Sequence, residues 1–295
     1  MIKVRVPATS ANMGPGFDSL GIAFNLYNEY GFSEIDTGLV FEGIPEEFCN
    51  TENIIYEAMI KCFKKGHYKF KGLKIKVIKQ DVPISRGLGS SSSCIVAGLV
   101  GANYIMGNKF TRDELFQIAV EMEGHPDNVA PAMFGDMVVA IMNNTNAVYN
   151  KIHIKPGVSF IALIPDFRLQ TKEAREVLPK EISMKQGVYN IGRAALMVSC
   201  FSTGNYKLLK YACEDMIHQN YRSKLINHYD EVFSECYKLG ALGCFLSGAG
   251  PTIMTIIKEG NSDFLIGIKD YLKINNINWE AVELEIDNHG AVILK

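Results

Sequence analysis

The sequence predicts an α+β protein of two domains that divide near residue 155. Strand-like and helix-like segments are mixed without the strict strand–helix–strand alternation of a parallel α/β sheet. The character of the chain changes near residue 155, and helical patterns dominate from Thr171 to Leu239. A chain of 295 residues is long enough for two domains, which we assign to residues 1–155 and 156–295.

Composition limits the classes of function. The net charge is −2, and no cluster of Lys and Arg alternates with aromatic residues, so we expect no nucleic-acid partner. No apolar run has membrane-spanning length, so we expect no membrane partner. Seven cysteines, an odd number, are scattered without a C-x-x-C pair, and apolar residues surround Cys62, Cys200 and Cys244. This pattern favours buried free thiols in a soluble, cytoplasmic protein.

The first elements follow from alternation and turn residues. "MIKVRVPATS" alternates charged and apolar residues, which predicts a strand and not the apolar core of a signal peptide. The glycine-rich "SANMGPGFDSLG" predicts a turn, with more strand-like sequence through "GLVFEG". A helix is predicted after Glu52, followed by an alternating strand in "GLKIKVIKQDVPI".

Two helices follow that strand. "SCIVAGLVGANYIMG" is mostly apolar, which predicts a helix buried on nearly all sides and ending near Gly107. Thr111 and Glu114 have the spacing of a capping box for the next helix, and Gly124 is placed to end it. The apolar face of this helix consists of Leu115, Ile118, Ala119 and Met122.

The remaining elements are less regular. "GDMVVAIM" and "VSFIALIP" predict buried strands on either side of a polar turn at residues 143–146. Beyond the helical region, "CFLS" and "TIMTIIK" predict strands around "GAGP". A helix near Ser262 to Ile274 and a last strand near Glu280 to Ile286 complete the pattern.

The stretch "RGLGSSSS", Arg86 to Ser93, has the composition of a phosphate-binding loop. A strand runs into it and a helix starts inside it, so free N–H groups and the helix dipole would favour an anion there. Gly87 and Gly89 allow the positive φ that turns amides toward one anion. The stretch lacks the lysine of a Walker loop, and a flexible connector with a serine cap is an equally good interpretation of it alone.

Two further loops could carry chemistry. In "EMEGHPDNVAPAMFG", the residues Glu121, Glu123, His125 and Asp127 crowd the end of the capped helix. Carboxylates near a phosphate site could bind Mg²⁺, although solvated helix-end residues are the commoner explanation. "LSGAGPT", Leu246 to Thr252, indicates either close approach of the backbone to a neighbour or a simple hairpin turn.

Together and in this order, the three loops resemble the motifs of the GHMP kinase superfamily. "VPATSANMGPGFDSLG", "PISRGLGSSSS" and "LSGAGPT" correspond to its N-terminal segment, phosphate loop and C-terminal turn, and the first looks like the homoserine kinase family specifically. The resemblance implies an N-terminal domain similar to ribosomal protein S5 and a ferredoxin-like C-terminal domain. It also implies transfer of the ATP γ-phosphate to the hydroxyl of L-homoserine with Mg²⁺, giving O-phospho-L-homoserine for threonine biosynthesis.

The resemblance also implies roles for individual residues. Asp18 would pair with the homoserine ammonium, Arg175 and Arg222 would bind its carboxylate, and Asn12 and His125 would orient its hydroxyl. Ser90, Ser91 and Glu123 would bind Mg²⁺, with Glu121 as the alternative carboxylate. The residues implied in catalysis are Asn12, His125, Asp127 and Asn128. Those implied in ATP binding are Pro83, Ile84, Ser85, Arg86, Gly87, Leu88, Gly89, Ser90, Ser91, Ser92 and Ser93.

Several alternatives stay open at this stage. Either Asp127 or Asn128 could face the reacting hydroxyl, and if Asn128 does, no strong base is present. The acceptor could be another small alcohol, such as threonine or mevalonate, or the chain could be an inactive nucleotide-binding regulator. Dimers are usual in the superfamily, so a homodimer is one alternative for the quaternary structure, which no feature of the sequence decides.

Overall fold

The computed structural model describes residues 1–294. The alternating charged and apolar residues at the start of the chain form a strand, as predicted. The strands of this part of the chain are β1 (Ile2–Ala11), β2 (Leu20–Ile35), β3 (Gly38–Glu42), β4 (Gly72–Gln80), β5 (Met137–Asn143), β6 (Asn146–Ile152), β7 (Val158–Pro165), β8 (Gly243–Leu246), β9 (Ile253–Lys258), β10 (Trp279–Leu284) and β11 (Val292–Leu294).

Helices fill the connections between these strands. They are α1 (Ile54–Lys65), α2 (Ser90–Ile105), α3 (Arg112–Glu123), α4 (Val129–Phe134), α5 (Thr171–Glu176), α6 (Met184–Thr203), α7 (Leu209–Ala212), α8 (Gln219–Arg222), α9 (Tyr229–Lys238) and α10 (Ser262–Ile274). Single turns of 3₁₀ helix lie at Glu46–Phe48, Tyr206–Leu208 and Ser223–Leu225. The α+β prediction is confirmed.

Two antiparallel-rich sheets organise the chain. The first has the order β11–β1–β2–β4–β3, and β5 pairs with the start of β2 and carries β6 at its edge. Among the strands of residues 1–294, only β3 and β4 in this sheet pair in parallel. The second sheet has the order β10–β7–β9–β8, and all its neighbouring strands are antiparallel.

The hydrophobic core has three parts. One lies between the first sheet and α1 to α4, and another lies between the second sheet and helices α9 and α10. The third joins the sheets, because Phe24 of β2 contacts Phe160 of β7, which in turn stacks on Phe201 of α6. Apolar burial therefore holds the sheets together beside the loops that connect them.

Helix α2 is the central helix of the first half. It is buried along most of its length, as its apolar composition predicts. A Cβ at Gly98 would overlap the backbone carbonyl of Ile55 in α1, and one at Gly101 would overlap the ring of Phe32 in β2. Both glycines therefore let α2 approach its neighbours closely, and this position sets where its N-terminus lies.

Two strands differ from the sequence prediction. The turn at residues 143–146 leads into β6, which the sequence analysis missed, while "VSFIALIP" forms β7 in the other sheet. Strand β6 is an edge strand whose apolar residues do not alternate: Val148 is exposed, and the buried Ala147 and Ile152 are five positions apart. The last strand, β11, was also missed, and it pairs with β1.

The pairing of β11 with β1 bears on the predicted division of the chain at residue 155. The first sheet's strands β1 to β6 end at Ile152, and the second sheet begins at Val158. Residues 292–294, however, return to the first sheet, so the segment 156–295 is shared between the sheets. The division into domains 1–155 and 156–295 stays a prediction.

Two further observations concern composition. In the described part of the chain, no helix is both long and apolar enough to cross a bilayer. The seven cysteines have free thiols, and Cys62, Cys200 and Cys244 are buried as their apolar neighbours predict.

The capping box of α3 gives a stability prediction. The Thr111 hydroxyl accepts a hydrogen bond from the Glu114 N–H, and the Glu114 carboxylate accepts one from the Thr111 N–H. Thr111→Ala should lower the free energy of unfolding by about 1 kcal/mol, seen as a lower urea midpoint. Thr145→Ala, in the exposed turn between β5 and β6, is the control. Equal midpoints for the two variants would contradict the capping role.

Candidate active site

A cleft of about 590 Å³ opens between the first sheet's loops and the turn after β8. The three glycine-rich loops singled out in the sequence all reach it: its walls include Asn12 and Asp18, the loop before α2, and residues 248–250. Residues from both halves of the chain therefore form one site.

The phosphate-loop prediction agrees with the backbone geometry. Gly87 and Gly89 have φ values of 79° and 70°, and Gly89 is the N-cap residue directly before α2. The N–H groups of the first turn of α2 therefore face the cleft without helical partners. The predicted loop residues that line the cleft are Ile84, Ser85, Arg86, Gly87, Gly89, Ser90 and Ser91.

Four of the predicted loop residues do not line the cleft. Pro83 is half-buried beside it, while Leu88, Ser92 and Ser93 are completely buried under it. The Ser93 hydroxyl lies 3.3 Å from the Tyr30 hydroxyl, inside the protein. The buried members of the loop therefore hold its shape, and the exposed members are available to a ligand.

The loop is tied to both sheets. The Thr9 N–H of β1 donates to the Leu88 carbonyl at 3.1 Å. From the other sheet, the Ser247 hydroxyl donates to the Gly87 carbonyl at 2.5 Å, and the Thr252 N–H donates to the Arg86 carbonyl at 3.3 Å. The Arg86 guanidinium donates to the carbonyls of Pro165 and Asp166, so this cation anchors the loop beside β7.

The geometry separates the two candidate magnesium carboxylates. Glu123 lines the cleft and accepts hydrogen bonds from the hydroxyls of Ser91 at 3.1 Å and Ser92 at 3.0 Å. Glu121 lies outside the cleft wall and forms ion pairs with Lys61 and Lys65 of α1. A hydroxyl with one carboxylate is a donor set that suits Mg²⁺. The structure therefore favours Glu123, whose role stays a prediction.

His125 and Asp127 form a hydrogen-bonded pair in the cleft wall. The His125 Nδ1 lies 2.6 Å from the Asp127 Oδ1, and that oxygen also accepts from the Asn128 N–H. Burial opposes protonation of His125, but the hydrogen bond and charge of Asp127, with the charges of Glu123 and Asp18, outweigh it and raise the pKa of the imidazole. Protonated His125 is therefore more populated near neutral pH than in free histidine.

The side chain of Asn128 has a defined orientation. Its Oδ1 accepts a hydrogen bond from the Thr9 hydroxyl at 2.8 Å, so its amide N–H groups are the free side of the group. An amide cannot take up a proton from an alcohol, so the Asn128 side chain can donate a hydrogen bond to a ligand but cannot act as a base.

Asn12 and Asp18 meet within the first loop. The Asn12 Nδ2 donates to the Gly248 carbonyl at 2.9 Å, and its Oδ1 accepts from the Asp18 N–H. Asn12 therefore joins the first loop to the turn after β8. Its predicted part in orienting a hydroxyl stays a prediction, and one amide hydrogen is left for it.

The predicted substrate residues lie together, but two of them already pair with each other. Both carboxylate oxygens of Asp18 accept from the Arg175 guanidinium, at 2.8 and 3.2 Å. One donor atom from each of Asp18, His125 and Asp127 lies within 4.8 Å of the others. The site therefore concentrates charge of both signs within a small volume.

Arg222 enters the same region from α8. Its side chain is 2 % exposed and donates from Nε to the Ala174 carbonyl and from Nη1 to the Gly248 carbonyl. Burial and the neighbouring charge of Arg175 lower the pKa of Arg222 to about 10, so it stays charged at neutral pH. The guanidinium carbons of Arg222 and Arg175 lie 5.2 and 5.6 Å from the centroid of the Phe17 ring, in cation–π contact with it.

The apolar end of the cleft was not predicted from the sequence. It is lined by Tyr30, Ile44, Phe48, Ile54, Ile55 and Val77. These residues come from two strands, a helix start and the loop before that helix. Their periodicity is that of ordinary core residues, so no sequence signal marks them as a binding surface. Thr171, an exposed residue at the start of α5, also lines the cleft and was not predicted.

Comparison with known proteins places these features in a family. The models for the GHMP kinases N terminal domain and the GHMP kinases C terminal match residues 53–136 and 197–266. Proteins named homoserine kinase from Clostridium botulinum and Clostridium beijerinckii are 66% and 63% identical over 100% of this chain and 99% of theirs. The crystal structure of homoserine kinase from Cytophaga hutchinsonii is 28% identical, covers 99% of this chain and 97% of its own, and has a TM-score of 0.88.

The phosphate loop yields a test of nucleotide binding. A Cβ at Gly89 would overlap the Thr9 hydroxyl, and its φ of 70° disfavours any side chain. Gly89→Val should weaken ATP binding, measured by calorimetry, about tenfold or more. Gly107→Val is the matched control, because Gly107 follows the far end of α2, outside the cleft wall, and has a φ of 78° with open space around it. ATP affinity that is lost equally in both variants, or in neither, would rule out this loop as the phosphate site.

Proposed function

The chain belongs to the homoserine kinase family of the GHMP kinases, and we propose that its cleft transfers the γ-phosphoryl group of ATP to the side-chain hydroxyl of L-homoserine. The observation that carries this proposal is the presence, in one cleft, of a helix N-terminus for phosphate and an acid–arginine cluster for an amino acid. Both groups line the same cleft, as a direct transfer between two bound substrates requires.

The nucleotide end combines apolar and backbone contacts. The base of ATP would lie among the apolar side chains that the sequence analysis missed, and Tyr30 and Phe48 offer rings to it. The phosphates would lie on the N–H groups between Gly87 and Ser91, where the helix dipole favours negative charge. Backbone amides thus replace the lysine of a Walker loop.

The acceptor end fits a zwitterion. The Asp18 carboxylate suits an ammonium group, and the guanidinium of Arg175 suits a carboxylate through paired hydrogen bonds. Because these two side chains pair with each other, a bound amino acid would separate them and give each a new partner. An alcohol that lacks either charge would leave one of them uncompensated.

Transfer needs positioning and charge neutralisation more than a strong base. Phosphoryl transfer passes through a loose transition state, in which little proton removal from the alcohol is needed early. Asn128 donates and cannot accept a proton, and the Asp127 carboxylate holds His125. We assign His125 the role of a cationic donor beside the hydroxyl and the transferred group, with its orientation set by Asp127.

Magnesium belongs to the proposal as an ion that would neutralise charge on the phosphates. Glu123 and the Ser91 hydroxyl would hold it, since they meet at the N-terminus of α2 with their oxygens toward each other. The Ser90 side chain lines the cleft next to them and is the third candidate donor.

A cytoplasmic setting is also part of the proposal. Free thiols on the seven cysteines suit a reducing compartment. The quaternary state does not enter the mechanism, because one chain supplies each of the cleft residues discussed here.

An assay of ADP release tests the function directly. The enzyme is given ATP and Mg²⁺ with L-homoserine, L-threonine, mevalonate or 4-hydroxybutyrate in separate reactions. L-Homoserine should give the highest kcat/KM, because it alone offers a flexible primary alcohol with both charges. A higher kcat/KM for mevalonate or threonine would replace the proposed acceptor, and release with no acceptor would identify an ATPase.

The two glutamates at the end of α3 form a matched pair for testing metal binding. Glu123→Gln should raise the Mg²⁺ concentration for half-maximal activity about tenfold or more, because a carboxylate in the donor set is lost. Glu121→Gln removes the same charge outside the cleft wall, where the partners of the carboxylate are lysines of α1. Its Mg²⁺ dependence should equal that of the parent. The reverse pattern would assign the metal to Glu121.

The amine site has its own test. Asp18→Asn should lower kcat/KM for L-homoserine about 100-fold and change that for 4-hydroxybutyrate much less, because only homoserine has an ammonium group to lose its partner. Asp36→Asn, at an exposed position outside the cleft wall, is the charge-matched control. Unchanged discrimination between the two alcohols in Asp18→Asn would exclude Asp18 from the amine site.

A further inference from the structure

The guanidinium of Arg222 is held in one orientation by protein acceptors. Its Nε donates to the Ala174 carbonyl at 3.0 Å, and its Nη1 donates to the Gly248 carbonyl at 2.9 Å and lies 3.3 Å from the His218 Nδ1. These contacts use the Nε hydrogen and both hydrogens of Nη1. The Nη2 group is left for a ligand in the cleft.

His218 has a partner at each ring nitrogen. Its Nε2 lies 2.7 Å from the Gly14 carbonyl, which can only accept, so the ring proton is on Nε2. The Nδ1 is then an acceptor, which matches the donor at Arg222 Nη1. The ring is 0 % exposed, and Phe17 lies against it at a centroid distance of 5.3 Å.

The segment that carries His218 is itself fixed. Both carboxylate oxygens of Asp215 accept backbone N–H groups, including that of His218 at 2.8 Å, and the Asn190 amide donates to the same carboxylate. The Gln219 side chain bridges the Cys213 carbonyl and the Leu246 N–H. His218 therefore stands on a rigid base between the first glycine-rich loop and Arg222.

We infer that His218 is a positioning residue, which holds the Arg222 guanidinium with Nη2 toward the acceptor and ties it to the loop at Gly14. This inference rests on the proposed function, in which Arg222 binds the homoserine carboxylate. His218 itself makes no contact with substrate in this role. The His218 Nδ1 accepts the second hydrogen of Arg222 Nη1, and this hydrogen bond helps to fix the orientation of the guanidinium.

The arrangement requires a neutral ring. Burial, together with the charge of Arg222, lowers the pKa of His218. The charges of Asp215 and Asp18 and the hydrogen bond to the Gly14 carbonyl favour the protonated ring but do not outweigh the burial. Protonation would place an N–H against the Arg222 N–H and bring two cations within 3.3 Å. The neutral form is therefore the form that holds Arg222, and it is lost as the pH falls.

Two amide variants separate the contacts of the two ring nitrogens. In His218→Asn, the amide oxygen stands near the place of Nδ1 and can still accept from Arg222. In His218→Gln, the longer amide reaches the place of Nε2 and can still donate to Gly14, while the acceptor for Arg222 is lost. Gln219→Ala is the control, because it loosens the same helix without a contact to Arg222.

The test measures KM for L-homoserine and for ATP in the parent and in each variant. His218→Gln should raise KM for L-homoserine about tenfold, the effect of losing one hydrogen bond to a charged group, and leave KM for ATP unchanged. His218→Asn should raise it clearly less. As the pH falls, KM for homoserine should rise in the parent, and it should rise less in His218→Asn. Because His125 is present in both proteins, the difference between the two pH profiles of KM reports the protonation of His218.

Other outcomes would overturn the inference. Equal increases in His218→Gln, His218→Asn and Gln219→Ala would show general loosening, and unchanged KM values would show that His218 does not position Arg222. A parent enzyme that does not phosphorylate homoserine would instead reject the proposed function. The positioning role of His218 can be tested even then, by a crystal structure of His218→Gln. An Arg222 guanidinium that keeps its original orientation in that structure would overturn the inference without any assay.

Discussion

The contact between the phosphate loop and the turn after β8 is the constraint on which the cleft depends. A Cβ at Gly87 would overlap the Ser247 carbonyl, so the two backbones meet with no room for a side chain. The Ser247 hydroxyl then reaches both the Gly87 carbonyl and the Ser10 hydroxyl. Because this contact joins the two sheets, it also fixes the distance between the N-terminus of α2 and the arginines carried by α5 and α8.

Local rules predicted the parts of the site that depend on local chemistry. The positive φ of Gly87 and Gly89 and the capping box at Thr111 follow from residue types within a few positions of one another. Strand β6 was missed because its alternation is weak, and β11 was missed because it has three residues and its partner β1 lies at the other end of the chain. The choice between Glu121 and Glu123 needed the position of α1, whose lysines occupy one of the two glutamates.

The roles of the substrate residues show a different limit. The resemblance to GHMP kinases brought Asp18 and Arg175 to attention as separate binding groups, and the structure shows them paired with each other. Their spacing in the chain, 157 residues, contains no information about that pair. His218 could not be identified from the sequence, since a lone histidine among polar residues is ordinary. Its importance comes from its contact with Gly14, more than 200 residues earlier in the chain.

The two ends of the cleft solve opposite electrostatic problems. The phosphate end must attract a strongly negative ligand without a lysine, and oriented N–H groups do this at no cost in side-chain entropy. The acceptor end must bind a zwitterion, which has no net charge. Side chains of a single sign would attract one of its charged groups and repel the other. Paired groups of opposite sign keep each other compensated until a zwitterion separates them, and a neutral His218 adds rigidity there without adding charge. Selectivity for an amino alcohol would then come from the free energy of leaving one member of the Asp18–Arg175 pair unpartnered, which is largest where the surrounding side chains are buried.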